Sequence, residues 1–166
     1  LLVVAGNETT RNAMTGGMLA FLDNPGEWEK LRRDPALLDP AIEEIVRWIS
    51  PVIQFCRTPN EDYRLRDKTI RAGQNCCLFY PSANRDEDVF PDGDRFDIGR
   101  PNARSTISFG FGIHRCLGMR LAELQLRVLW QEILARWKRI EITGPVERVE
   151  SNFVNGYSRM PVRIVA

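Results

Sequence analysis

The residues best placed to do chemistry lie between Phe109 and Gly118, in the run Phe-Gly-Phe-Gly-Ile-His-Arg-Cys-Leu-Gly. This run places one cysteine, Cys116, in a glycine-rich loop directly before a segment with helical apolar periodicity. Backbone N–H groups and the positive end of a helix dipole favour the charged form of a thiol at such a position. A buried structural cysteine in a tight turn is the simpler interpretation of a lone cysteine, and the ten-residue spacing is more specific than that.

Three glycines of this loop indicate what it could hold. Gly110, Gly112 and Gly118 let the backbone turn tightly and come close to a flat, bulky group. The other thiols do not suggest zinc, because the four cysteines have no Cys-x-x-Cys spacing and the chain has a single histidine. This cysteine usage indicates a reducing cytoplasm.

A second candidate site lies within the first predicted helix, which covers residues 1 to about 23. Its segment Ala-Gly-Asn-Glu-Thr-Thr, residues 5–10, contains poor helix formers. Thr9 can hydrogen-bond to a carbonyl one turn earlier. Poor helix formers inside a helix suggest a functional site. The alternative is that small residues here let a second helix pack closely against this one.

A third constellation is Glu44-Ile-Val-Arg47, with opposite charges on one face of an otherwise apolar predicted helix. An exposed pair of this kind is common and contributes little to stability. A buried pair needs further partners to offset its desolvation.

Together these motifs resemble the cytochrome P450 family. Phe-x-x-Gly-x-His-x-Cys-x-Gly is similar to the family's haem-ligand loop, Ala-Gly-x-Glu-Thr-Thr to its oxygen-activating segment, and Glu-x-x-Arg to its other fixed motif. The motifs follow the family's order. The resemblance implies a mainly α fold with a small β region, in which residues 1–166 are the C-terminal half of a single cytochrome P450 domain and the N-terminal half is absent.

The resemblance also implies a role for each motif. Cys116 would be the axial thiolate ligand of the iron of haem b. Thr9 and Glu8 would be catalytic residues that deliver protons during oxygen activation. Glu44 and Arg47 would form a structural triad with Arg95. The other cofactor-binding positions would be His114 and Arg57, which match propionate-binding positions, and Phe109, Gly110, Gly112, Gly118, Ala122, Ala5 and Gly6.

By the same resemblance the protein would be a haem-thiolate monooxygenase that hydroxylates a hydrophobic substrate with O2 and two electrons from a ferredoxin-type donor. The donor would be attracted to the face that carries Arg115, Arg120 and Arg127. Several phrases resemble bacterial members that hydroxylate steroid side chains or methyl-branched lipids. The candidate substrate-lining residues are Val4, Val52, Ile53, Gln54, Phe153 and Val154.

Two alternatives remain open at this point. One is a peroxide-dependent haem-thiolate enzyme, against which the Glu8-Thr9 pair argues. The other is a truncated fragment that binds no haem and has no activity.

Composition fits a globular protein, with 43% hydrophobic and 27% charged residues. The net charge of +1 gives no electrostatic argument for nucleic acid. The first apolar stretch is too short for a membrane span.

The chemistry must be positioned by a small number of elements. The sequence predicts helices over 25–33, 39–49 and 117–137, and a long ordered coil over 81–104. It also predicts a hairpin over 63–70 and a buried strand over 75–80. In the last helix Leu121, Leu124, Val128 and Leu129 are predicted to face inward. Asn155-Gly156 is predicted to be the turn of a C-terminal hairpin.

Overall fold

The computed structural model describes the backbone of residues 2–165 and the side chains of residues 5–165. The helices are α1 (Leu2–Asp23), α2 (Pro25–Arg33), α3 (Leu38–Ile49), α4 (Tyr80–Ala83) and α5 (Met119–Arg136). The strands are β1 (Gln54–Arg57), β2 (Tyr63–Leu65), β3 (Lys68–Ile70), β4 (Cys76–Phe79), β5 (Arg139–Ile142), β6 (Glu147–Arg148), β7 (Tyr157–Arg159) and β8 (Val162–Val165). The predicted helices are confirmed, and α3 begins one residue earlier than expected.

The core lies where α1, α3 and α5 meet the coil that follows α4. Its centre is aromatic. The ring of Phe21 lies 4.9 Å from that of Trp130 and 5.3 Å from that of Phe96, both in edge-to-face geometry. Such pairs add about 0.5–1.5 kcal/mol beyond the area they bury. They fix α5 against α1, and α5 follows directly from the loop of Cys116.

The strands form antiparallel pairs, β1 with β4, β2 with β3, β5 with β8 and β6 with β7. The predicted hairpin over 63–70 is confirmed as β2 and β3. The strand predicted over 75–80 is also present as β4, but the prediction that it is buried is wrong, because most of its side chains are exposed. Among the described residues it pairs only with β1.

The predicted inward face of the last helix is wrong at three of its four positions, since only Leu129 packs against the core. Leu121, Leu124 and Val128 are 60%, 53% and 50% exposed. The buried face of α5 is instead formed by Leu126, Trp130 and Ile133. The helix carries two apolar stripes on different faces, and packing against α1 and α3 selects the second one.

The predicted turn at Asn155-Gly156 is also wrong. Strands β6 and β7 do pair, but residues 149–156 form the connection between them. Asn155 instead donates from Nδ2 to the carbonyl oxygen of Ile49 at 2.5 Å, and its amide donates to the carbonyl of Pro51 at 2.9 Å. This Asn-Gly pair therefore fixes the loop to the end of α3. None of the described helices is long and apolar enough to cross a membrane.

Candidate functional site

The loop of Cys116 is built by its own backbone. Gly110 and Gly112 have φ angles of +70° and +72°, which other residues adopt only with strain. The amide of Cys116 donates to the carbonyl of Phe109 at 2.8 Å and so closes the loop. A single 3₁₀ turn, Gly112–His114, lies inside it. Gly118 has an ordinary φ of −83°, so its role is not conformational.

Cys116 lies two residues before Gly118, the N-cap of α5, and its thiol is exposed. The large apolar side chains around it are exposed too, with Phe111 at 87%, Ile113 at 97% and Leu117 at 92%. Contiguous exposed apolar surface of this kind marks a binding site or an interface. The simpler interpretation of Cys116 as a buried structural cysteine is therefore wrong for this structure.

The donor set at this loop fits haem. The described residues contain no cluster of three or more His, Cys, Asp or Glu side chains that could hold a metal ion. Cys116 can therefore offer an iron one protein ligand, which suits a metal whose other ligands belong to a macrocycle. Gly112 and Gly118 leave space near the thiol. A Cβ on Gly112 would meet nothing within 4 Å, and one on Gly118 would meet only the Cys116 sulfur, at 3.9 Å.

A buried asparagine holds the start of the loop, and the sequence analysis missed it. Asn84, fully buried at the end of α4, donates to the hydroxyls of Ser50 at 2.8 Å and Ser108 at 2.7 Å. Its Oδ1 accepts from the amide of Ile107 at 2.9 Å. The Ser108 hydroxyl in turn donates to the carbonyl of Val46 in α3 at 2.8 Å. A single asparagine inside a coil gives no sequence signal for such a role.

The Glu44–Arg47 pair is fully buried and bidentate. Arg47 donates from Nε and from Nη2 to the two carboxylate oxygens of Glu44, both at 2.7 Å. The third member of the cluster is Arg100, whose Nε lies 3.3 Å from Oε2 of Glu44. The prediction that Arg95 completes this triad is wrong, because its side chain is exposed and only its carbonyl takes part.

The two arginines of this cluster hold the long coil through its carbonyl oxygens. Their guanidinium groups reach separate points along it, so that the coil is fixed to α3 over residues 84–95. Arg47 donates to the carbonyls of Asn84, Gly93 and Arg95, and Arg100 donates to those of Pro91, Asp92 and Arg95.

A second contact fixes the same coil to α2. The amide of Asp97 donates to Glu44 at 3.0 Å, while its carboxylate accepts from Lys30 at 3.1 Å and from the Gly99 amide at 2.9 Å. Partial burial alone would raise the pKa of Asp97, but the hydrogen bonds from Gly99 and Lys30 lower it. Asp97 is thus held as a carboxylate.

Burial and the charge of Arg47 lower the pKa of Arg85.

The Thr9 segment makes the hydrogen bond predicted for it. The Thr9 hydroxyl donates to the carbonyl of Ala5 at 2.8 Å, one turn earlier in α1. Glu8 forms an ion pair with Arg11 on the same helix. Gly6 is exposed, and a Cβ there would meet nothing within 4 Å, so this part of α1 makes no small-residue crossing in the described residues.

The two predicted propionate-binding side chains, Arg57 and His114, are both exposed. Arg57 donates to the carbonyl of Cys56 at 2.8 Å and lies over the ring of Phe55. Among the described residues, no hydrogen bond joins Arg57 to His114. Ala122 is half-buried in the first turn of α5, where its amide donates to the carbonyl of Gly118 at 2.9 Å.

The candidate substrate-lining residues from two distant segments meet. Val52 bridges Val154, and the Ile53 amide donates to the carbonyl of Phe153 at 2.8 Å. Gln54 reaches the same segment through a 3.5 Å bond to the carbonyl of Asn152. The side chain of Val4 lies outside the described residues.

Comparison with known proteins agrees with these features. The family model described as Cytochrome P450 matches residues 1–157. The chain is 42% identical to linalool 8-monooxygenase of Pseudomonas putida and 42% identical to steroid C26-monooxygenase of Mycolicibacterium smegmatis. These matches cover 99% and 98% of the chain, but only 40% and 41% of the two relatives.

The fold agrees as well. Superposition on cytochrome P450-153 from Novosphingobium aromaticivorans gives a TM-score of 0.95 at 46% identity, over 99% of this chain and 42% of that one. The family's haem thereby becomes the cofactor that the exposed thiol and its glycine loop would hold. The loop motif and the buried Glu44–Arg47 pair agree with these matches. The chain therefore belongs to the cytochrome P450 family.

Proposed function

We propose that this chain is the C-terminal portion of a haem-thiolate monooxygenase and that Cys116 is the axial ligand of haem b. The observation that carries the proposal is the exposed thiol of Cys116, two residues before the N-cap of α5 and among exposed apolar side chains. When bound, haem supplies the iron at which O2 is activated with two electrons. The chain's own residues set the ligand, the proton supply and the pocket.

The Cys116 loop is held by hydrogen bonds within the chain. The closing hydrogen bond to Phe109 and the Asn84 contacts hold its backbone. Loop residues without Cβ atoms leave room for a flat group. Exposed Arg57 and His114 are available to bind its carboxylates.

The test is the spectrum of the reduced, carbon-monoxide-bound form of the longest protein that carries this chain. We expect the red-shifted Soret band of thiolate ligation in the parent protein, its loss in Cys116→Ala, and its retention in the matched control Cys76→Ala. An unchanged band in Cys116→Ala would refute the assignment. No haem binding by the parent protein would favour the fragment without activity.

Thr9 is proposed to control proton delivery. Its hydroxyl donates to the Ala5 carbonyl, which leaves the oxygen free to accept a hydrogen bond. Glu8 would have to leave Arg11 to carry protons to it from solvent. We expect Thr9→Ala to bind haem and substrate normally but to divert electrons into peroxide, and Thr9→Ser to restore coupling. Unchanged coupling in Thr9→Ala would contradict this role.

The substrate is proposed to be hydrophobic, of the steroid side-chain or branched-lipid class. The mainly apolar residues at the Val52–Val154 bridge support a hydrophobic substrate, and the name of the steroid C26-monooxygenase relative supports the steroid class. We expect a sterol with an aliphatic side chain to shift the Soret band at lower concentration than an acyclic terpene alcohol. The reverse order would remove the steroid class.

The electron donor is proposed to be an acidic ferredoxin-type protein. A cytoplasmic location is proposed as well, and the cysteine usage supports it. Arg120 is paired with Glu123 and Arg127 with Asp39, both at 2.9 Å, which weakens their attraction for a partner. Arg115 has no carboxylate partner among the described residues. Arg115→Glu should therefore slow electron transfer more than Arg127→Glu, chiefly at low salt, because screening acts within about 10 Å at 0.1 M. A rate insensitive to both changes would exclude this face.

A further inference from the structure

Two cysteines outside the proposed haem site face each other across a strand pair. The register of β1 and β4 places Cys56 directly opposite Cys77. Their sulfur atoms are 2.9 Å apart, and both are free, exposed thiols. The proposed monooxygenase function uses neither of them.

The geometry of the pair is close to that of a disulfide. Residues opposite each other in an antiparallel pair have Cα atoms about 4.5–5.5 Å apart, inside the range of about 4.4–6.8 Å that a disulfide spans. Because the S–S bond is about 2.05 Å long, the two sulfurs need to approach by only about 0.9 Å. Small side-chain rotations on an exposed sheet can supply that movement.

The neighbouring thiol is not an equivalent partner. Cys76 is half-buried and lies opposite Arg57 in the register. Successive side chains of a strand point to opposite faces, so Cys76 faces away from the Cys56–Cys77 pair. Cross-strand oxidation should therefore select Cys77.

We propose that Cys56 and Cys77 are an oxidation site, at which a hydroperoxide converts the two thiols into a reversible disulfide between β1 and β4. The Cys56 thiolate attacks one peroxide oxygen and the O–O bond breaks, which gives a sulfenic acid. The departing hydroxide takes up the proton that the Cys56 thiol released, so that hydrogen peroxide yields one water. The Cys77 sulfur then displaces the hydroxyl group, and its proton leaves with that group as a second water. The thiols lose two electrons, and the peroxide gains them.

The order of attack follows from the pair itself. The hydrogen bond with Cys56 raises the pKa of the Cys77 thiol, so Cys77 retains its proton and acts second. In a reducing compartment such bonds are transient and serve redox sensing. Closure would join the two ends of residues 57–76, which include the β2–β3 hairpin and Arg57.

The test uses the longest protein that carries this chain, fully reduced and then treated with a stoichiometric amount of hydrogen peroxide. Free thiols are blocked by alkylation, and the peptides are mapped by mass spectrometry. We expect one peptide pair linked through Cys56 and Cys77, lighter by two hydrogens and separated again by dithiothreitol. Proteolysis within residues 57–76 should slow when the bond forms.

Single variants provide the controls. Cys56→Ser and Cys77→Ser should each lose the linked pair, while the matched control Cys76→Ser should keep it. None of the three side chains belongs to the buried core, so the variants should fold. The proposal would be overturned by a link through Cys76 or Cys116, by separately alkylated Cys56 and Cys77 after excess peroxide, or by loss of the link in Cys76→Ser.

Discussion

Replacing Glu44 by alanine removes the carboxylate that forms ion pairs with two buried guanidinium groups, those of Arg47 and Arg100. Glu44 accepts two 2.7 Å bonds from Arg47, one of 3.0 Å from the Asp97 amide and the ion pair of Arg100. Both Glu44 and Arg47 have no exposed surface. Removing one partner of a buried ion pair costs about 3–5 kcal/mol, because the remaining charge has neither solvent nor counter-charge.

The expected loss of stability is large relative to the total free energy of unfolding. Domains of ordinary stability unfold with about 5–15 kcal/mol, so Glu44→Ala should remove a substantial fraction of the free energy of unfolding. The coil carbonyls that Arg47 and Arg100 hold would be released with it. The Asn84 contacts to the cysteine loop come from this coil, so haem retention should also fall.

The assay is denaturant unfolding of the longest protein that carries this chain, with haem content measured in parallel. Arg100→Ala should lower the free energy of unfolding by at least about 3 kcal/mol, since it also removes a charged member of the buried cluster. The matched control is Arg95→Ala, which removes an exposed side chain and keeps the carbonyl, and should stay within about 0.5 kcal/mol. A loss below about 1 kcal/mol in Glu44→Ala, or equal losses in Arg95→Ala and Arg100→Ala, would refute the reasoning.

Two further predictions concern packing and acid stability. A Cβ on Gly156 would lie 2.5 Å from the side-chain amide of buried Asn12, so Gly156→Ala should cost about 1–3 kcal/mol in denaturant unfolding, whereas Gly26→Ala, where a Cβ has open space, should not destabilise. A neutral result for Gly156→Ala would show that Asn12 can move away. The folded-state pKa of Asp97 is lowered, so its contribution to stability is present above its unfolded pKa of about 3.9 and is lost as pH falls below it. Asp97→Asn should therefore flatten the fall of unfolding free energy with acid, and an unchanged pH profile would contradict this.

The features that the sequence predicted correctly are mostly local. Glycine spacing predicts the tight turns around Cys116, and two of these glycines do have positive φ angles. Pro25 and the apolar periodicity predict α2 and α3, and a short turn predicts the β2–β3 hairpin. The Thr9–Ala5 hydrogen bond spans one helical turn. Each of these features depends on residues a few positions apart, and the conformational preferences of such residues can be predicted from the sequence.

The wrong and missed assignments all depend on contacts between distant segments. Arg95 and Arg100 are both arginines in the same coil, and only the path of that coil over α3 brings Arg100 to Glu44. The two apolar stripes of α5 look alike in sequence, and the neighbouring helices decide which one is buried. Cys56 and Cys77 become partners only through strand register. The sequence by itself therefore determined the motifs and the elements that carry them. Tertiary structure decided which side chains are desolvated together, because burial is a property of the packed surfaces and not of either segment alone.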